Sequence, residues 1–404
     1  MRIERIRLDH RSGNPRISAN VVWEDCDRSV QELYFQTGEE FAQALTPSPA
    51  AFLAAAVLPA MDAGEKRIFV EGEICPEFHS GLVKVMSAIR YWSRTERDLV
   101  RIEGGKKRSV TTPRPERAGL FLTGGVDSLA ALRVNRLSFP LEHPGSVKDA
   151  ILIFGLEVDQ PAAFQHVLNS LSIVAQDAGV KLIPVETNIR YLNDDWVFWY
   201  WQFMGAALCA VAHVFARRLS VVSIASDYDL PNLRPHGSHP LIEPNFSSYD
   251  VRISYEGITL SRLAKTRLLA DWDVALQNLR VCNKSEYYRS DRLNCGECEK
   301  CVRTMLALLV VGALKRACTF PQTDVSEELL SQTRLSDKVY PFYQELILPL
   351  QEIGRADLAR CIERKLSPYR VEVGWKKRLA GFDRKYLNGN LIRLKRTLLS
   401  SNAM

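Results

Sequence analysis

The sequence predicts an α/β protein whose centre is a parallel sheet, with a smaller N-terminal α+β domain before it and a helical region after it. Three observations carry that expectation. Short apolar strands alternate with helix-length segments from residue 118 onward, a glycine-rich turn joins the first of those strands to the first of those helices, and four cysteines cluster near the end of the alternating region. Alternation at this spacing implies right-handed βαβ units and a parallel sheet covered on both faces.

In the first segment, residues 1–105, Arg2–Leu8, Ile17–Trp23 and Glu32–Phe35 alternate in polarity and read as strands. Phe78–Trp92 repeats Leu82, Val85, Met86 and Ile89 at helical spacing, and Leu99–Ile102 reads as a closing strand. No chemical motif lies here, so the expected role is to pack on or shape the next domain. Gly104–Arg117 mixes glycine, proline and charge without periodicity and reads as a linker.

The second domain, residues 118–317, opens with a strand at Ala118–Leu122 and a helix at Ser128–Leu137. Ala150–Gly155 and Lys181–Val185 read as strands around a helix at Ala163–Ala178. A long apolar helix at Trp196–Arg217 and a strand at Leu219–Ala225 follow. Ligands of such sheets bind outside the carboxyl ends of the strands. The third segment, 318–404, is helical in pattern at Glu327–Gln332 and Tyr340–Ile353.

Between the first strand and helix of the second domain stands Thr123-Gly124-Gly125-Val126-Asp127-Ser128. Two glycines let the backbone turn tightly and approach a ligand, and the amides of the turn and helix start form an anion site. Thr123 and Ser128 add hydroxyls. Asp127 repels a bare phosphate, so its role is to position Mg²⁺ or to orient the loop. The Walker spacing and its lysine are absent, as is GxGxxG. A plain glycine turn with a Ser/Asp helix cap is the structural alternative.

Cys282, Cys295, Cys298 and Cys301 offer four thiolates with two CxxC steps, which matches tetrahedral zinc. Four sulfurs leave no open position, so the expected role is structural. An iron–sulfur cluster is the competing occupant. The other five cysteines are scattered singly, which argues against a disulfide framework.

Composition sets limits on the whole. Of 404 residues, 46% are hydrophobic and 25% charged, which is ordinary for globular domains. Ala50–Met61 and Met305–Leu314 are too short for a membrane span, and Met1–Asp9 lacks the apolar run of a signal peptide, so a cytoplasmic chain without membrane attachment is expected. The net charge of +6 is concentrated in Arg364–Arg396, where eleven basic residues face only Glu372 and Asp383.

The six-residue loop resembles the SGGxDS signature of PP-loop ATP pyrophosphatases, with threonine at the first position. The loop and the later cysteines occur in the order found in 7-cyano-7-deazaguanine synthases. Ser226-Asp227-Tyr228 is similar to that family's Asp-Tyr segment, and Leu260–Leu269 to its lysine-bearing helix start, with Lys265 at the lysine. The likeness spans about Leu120–Leu314. The Asp229–Ser248 loop departs from it, as do the added N- and C-terminal regions.

The resemblance implies ATP, Mg²⁺ and Zn²⁺ as cofactors, with a small-molecule carboxylate and ammonia as substrates. Backbone amides of Gly124–Ser128 would hold pyrophosphate, Asp127 and Asp227 would organise Mg²⁺, and Lys265 would neutralise phosphate charge. The product would be an amide or nitrile, on a 7-deazaguanine-like acid. Three alternatives stay open. One is a synthase-like ligase of a bacterial antiviral system acting on a protein or nucleic acid, another a tRNA-modifying PP-loop enzyme, and the last a nucleotide sensor without turnover. The basic tail suits a nucleic-acid or protein acceptor, and the sequence is compatible with a homodimer. His236 and His239 are acid–base candidates in the loop, and Trp196, Trp199, Tyr200 and Trp201 are expected in the core or beside a heteroaromatic substrate.

Overall fold

The computed structural model describes residues 1–11, 13–105, 115–282 and 292–367. The chain opens with an antiparallel meander, β1 (Arg2–Arg11), β2 (Asn14–Val22) and β3 (Gln31–Thr37). α1 (Pro49–Ala63) and α2 (Pro76–Ser93) flank β4 (Arg67–Glu73), and β5 (Arg101–Gly105) pairs with β4, which lies parallel to β1. Next come β6 (Ala118–Phe121), α3 (Val126–Ser138), β7 (Val147–Phe154), α4 (Pro161–Asp177) and β8 (Lys181–Thr187). α5 (Trp196–Phe198) then passes through a π-helical turn, Trp199–Phe203, into α6 (Met204–Val214). β9 (Val221–Ala225) and β10 (Arg252–Glu256) close the sheet.

Among the described residues ten strands form one sheet, ordered β10-β9-β6-β7-β8-β3-β2-β1-β4-β5. The block β10 to β8 is parallel throughout. β6 is buried at all four positions, as a central strand covered on both faces must be. The N-terminal strands extend this sheet, because β3 pairs antiparallel with β8 through Phe35–Thr187, Gln36–Glu186 and Thr37–Val185. Side chains reinforce the seam: the Tyr34 hydroxyl donates to Glu186 at 2.8 Å, and the Thr37 hydroxyl to the Pro184 carbonyl at 2.6 Å.

Each face of the sheet carries its own apolar cluster. One joins α1, α2 and α6, with Phe35, Phe52, Leu58 and Phe78 buried among Ala206, Ala207 and Ala210. Small residues on α1 and α6 let the two helices approach closely. The other joins α3 and α4 to a C-terminal helical layer of α7 (Arg262–Ala270), α8 (Asp273–Gln277), α9 (Glu299–Val310), α10 (Glu327–Gln332), α11 (Tyr340–Gln344), α12 (Ile347–Glu352) and a helix from 356 onward. Trp196–Val214 has the length and apolar composition to cross a membrane, but most of it is buried as the core helix between β8 and β9.

That helix carries the one irregularity that matters for the site. The π-helical turn releases backbone groups, and the 229–248 loop uses them: Gly237 N–H donates to Tyr200 O at 3.0 Å, and Gly205 N–H donates to Gly237 O at 2.7 Å. Loop and helix backbones therefore touch. A Cβ on Gly237 would stand 3.0 Å from both Phe203 N and Tyr200 O, so any larger residue would push the two backbones apart. π-helical turns are frequent at functional sites for this kind of reason.

Residues 12, 106–114, 283–291 and 368–404 lie outside the described residues, and with them most of the linker, most of the Asn283–Asn294 loop and all of the basic run after Lys365.

Candidate functional site

β6 leads to β7 on one side, while β8 returns across it to β9 on the other, so the strand order reverses between β6 and β9. Crevices at such a reversal are where open α/β sheets bind ligands. Here the crevice is a cavity of about 380 Å³ over the ends of β6 and β9. Thr123, Gly125, Asp127 and Ser128 line it on one side.

The loop is shaped for this position. Gly124 has φ +80°, and a Cβ there would stand 3.1 Å from Leu171 and 3.4 Å from the Arg280 Cβ, so that residue must be glycine. Gly125 has ordinary φ and no protein atom closer than 3.5 Å to its missing Cβ. Its side faces the cavity. Ser128 Oγ accepts from Thr123 N–H at 3.2 Å and donates to Gly125 O at 3.1 Å, which holds the turn from within. Among the described residues no side chain caps α3, and its first internal bond is Leu129 N–H to Gly125 O. The amides of Val126, Asp127 and Ser128 precede that bond, which leaves an uncapped positive helix end.

Asp127 and Lys265 meet, as do residues that the sequence reading did not connect. Asp127 accepts from Lys265 Nζ at 3.1 Å and pairs with Arg262. Burial works to raise the Asp127 pKa, but Arg262 and Lys265 outweigh it and hold the carboxyl below its ordinary range. Lys265 is fully buried. Its ammonium also donates to Ser226 O and, at 3.1 Å, to Ser226 Oγ, so its three donors are taken and it does not line this cavity. The structure thus places Lys265 as the strut between loop and β9.

Asp227 follows β9 and faces the cavity. His236 is buried beside it with Nε2 3.2 Å from the carboxylate, while Nδ1 accepts from Ser238 N–H at 3.0 Å. An accepting Nδ1 puts the proton on Nε2 in the neutral ring, so His236 donates to Asp227 and orients it. Tyr200 stacks on the imidazole at 5.7 Å. His239 is turned away, edge-on to Trp92 at 4.8 Å. Neither imidazole lines the cavity. Of the aromatic cluster, Trp196, Trp199 and Tyr200 do, and Trp201 does not.

The far wall comes from the C-terminal layer. Phe342 stacks on Tyr228 at 5.2 Å, and the Tyr228 hydroxyl donates to Lys338 O at 3.0 Å. Lys338 Nζ stands 4.0 Å over the Tyr200 ring. Arg303, buried on α9, lies over Phe342 at 4.5 Å and 3.4 Å from Glu299. Arg280, Arg262 and Arg303 are among the cavity residues that sequence reasoning missed. A signal for two of them existed: each stands two residues from a clustered cysteine, in an apolar segment where a charge breaks the pattern.

The four cysteines converge as expected. Their sulfurs lie within 4.8 Å of one another, with Cys295–Cys301 at 3.8 Å and Cys298–Cys282 at 3.9 Å. Sulfurs about 2.3 Å from a tetrahedral zinc stand about 3.8 Å apart, so the set could hold a metal ion such as zinc. Glu297 and Cys298 N–H groups donate to Cys295 Sγ at 3.4 and 3.3 Å, as they would to a thiolate. Buried Asn294 connects this centre to the loop. Its Oδ1 accepts from Val281 and Cys282 N–H, its Nδ2 donates to Leu279 O at 2.8 Å, and Arg280 N–H between them donates to Gly124 O at 2.9 Å.

Compared with known protein families, curated proteins and solved structures, the chain shows no detectable match.

Proposed function

We propose that this chain is a PP-loop ATP pyrophosphatase that activates a carboxylate as an acyl-adenylate and passes it to a nitrogen nucleophile. The observation that carries the reading is the uncapped start of α3, opening with Gly125 onto an aromatic and cationic cavity at the strand-order reversal. ATP lies with its β- and γ-phosphates on the loop amides and its base among Trp196, Trp199 and Tyr200. A substrate carboxylate oxygen attacks the α-phosphorus, the bond to the bridging oxygen breaks, and pyrophosphate leaves. Ammonia then attacks the acyl carbon, AMP departs with the carboxylate oxygen, and a proton is lost to give the amide. Such chemistry needs no protein nucleophile, only positioning and charge stabilisation.

Within this reading the roles divide by environment. Asp127, already engaged by Arg262 and Lys265, orients the loop. Asp227, held by His236 and open to the cavity, is the carboxylate for Mg²⁺. The cysteine centre is structural. The leading substrate is a 7-deazaguanine-like acid, 7-carboxy-7-deazaguanine, and the product its amide, or its nitrile where a second ATP adenylates the amide oxygen and AMP carries that oxygen away with loss of a proton.

Incubation with Mg-ATP and that acid, with and without ammonium, tests chemistry and substrate together. The expected nucleotide product is AMP with pyrophosphate, and Gly125→Val should abolish it because the new methyl groups occupy the phosphate position. ADP as product, or unchanged turnover in Gly125→Val, overturns the mechanism. AMP without consumption of the acid rejects that substrate.

A further inference from the structure

Arg280 is a charged side chain of the cavity wall without a charged partner among the described residues. It is 9% exposed, yet among the described residues no hydrogen bond or ion pair reaches its guanidinium. Lys265 and Arg262 are taken by Asp127, and Arg303 stands 3.4 Å from Glu299 and over the Phe342 ring, although its Nε and Nη1 find no hydrogen-bond partner among the described residues. A desolvated, unpaired guanidinium costs several kcal/mol unless an anion completes it. Glu157 shares the cavity wall but makes no ion pair with it. The arginine is also held from behind, since its own N–H is bonded to Gly124 O and its neighbours Val281 and Cys282 are bonded to Asn294.

We infer that Arg280 is an oxyanion-binding residue, whose guanidinium takes a phosphoryl group bound against the amides of Val126, Asp127 and Ser128. Two independent features converge on one spot: an uncapped helix start and an unpaired buried arginine whose backbone touches the loop. A planar fork of donors matches phosphoryl oxygens two at a time, which an ammonium cannot do. Arg280 thereby supplies the charge that Lys265, with all its donors used, does not bring to the cavity. The inference deepens the reading above and rests on the loop being its anion site, but it does not depend on which phosphorus is attacked.

The test is calorimetric titration of the full chain with inorganic pyrophosphate in the presence of Mg²⁺, for wild type, Arg280→Met and Arg280→Lys. Losing a charge-assisted bond should weaken binding by roughly ten- to a hundred-fold in Arg280→Met, with part of the affinity retained in Arg280→Lys. The ligand-free unfolding temperature of Arg280→Met should stay level or rise, because an unpaired buried charge has been replaced by an apolar chain of similar length. A structural arginine would show the reverse, a lower unfolding temperature with unchanged affinity, and that overturns the inference. So does a wild type that takes up no pyrophosphate. If the affinities differ as expected while ATP yields no AMP, the arginine assignment stands and the pyrophosphatase reading falls. If AMP forms and Arg280→Met binds pyrophosphate like wild type, the reading stands and the assignment falls.

Discussion

Glu243, within the 229–248 loop, is fully buried, facing Ser238 and His239 of the same loop, Asp227 before it, Gly205 and Cys209 from α6, and Tyr255 from β10. Its Oε2 accepts from His239 N–H at 2.7 Å, and burial, working against the hydrogen bonds it accepts, pushes its pKa from 4.5 up to about 8. The folded chain therefore keeps a proton that the unfolded chain releases. The contribution of this group is full below pH 4.5 and is lost as pH rises toward about 8, with a slope approaching about 1.4 kcal/mol per pH unit. Glu243→Gln should flatten that limb and exceed wild type in stability at pH 8 but not at pH 4, as read from urea midpoints across pH. Parallel pH profiles for the two proteins would remove the buried acid from this role. At this scale the sequence was partly legible. The loop and the four cysteines are contiguous motifs, so their residue types announced them. Arg262 and Arg280 act through partners more than a hundred residues away, which local spacing does not record, and His236, expected as an acid–base group, is instead buried where it orients Asp227.

Most elements were readable because their periodicity is strong: the helices at 126–138, 161–177 and 76–93 and the strands around them match the apolar pattern. β4 and β10 were not. Each brings few apolar residues to the sheet, and β10 is a five-residue edge strand whose pairing with β9 gives it its conformation. The π-helical turn was invisible for a similar reason, since it is stabilised by Gly237, which the sequence places in a distant loop. At the element scale the cysteine centre carries the sharpest expectation. Structural zinc is worth about 10–16 kcal/mol in small domains, comparable with the whole stability of a typical fold. Elemental analysis should find about one zinc per chain. Cys298→Ser, which removes one ligand at the start of α9, should lose metal and soluble protein together. Soluble wild-type protein free of zinc, or rich in iron, rejects this occupant.

For the whole molecule, the consequential fact is that the N-terminal strands and the parallel block share one sheet and one of the two apolar clusters. A chain beginning at Pro115 would leave the β8 edge unpaired and uncover the α6 face that α1 buries, an exposure that invites aggregation. Residues 115–404 produced alone should be insoluble, and production alongside residues 1–105 should restore a soluble complex. A monomeric, cooperatively unfolding 115–404 protein would show that the seam is dispensable. The same seam has a cost in time. Tyr34 and Glu186 are 152 residues apart in the chain. A ribosome adding about 5–20 residues per second needs on the order of 8–30 s to deliver β8 after β3. Throughout that interval the edge carrying Tyr34, Phe35 and Gln36 has no mate within its own chain. The nascent protein therefore meets its greatest hazard of mispairing midway through synthesis, at a stage when chaperone holding, more than final stability, governs how much of it survives.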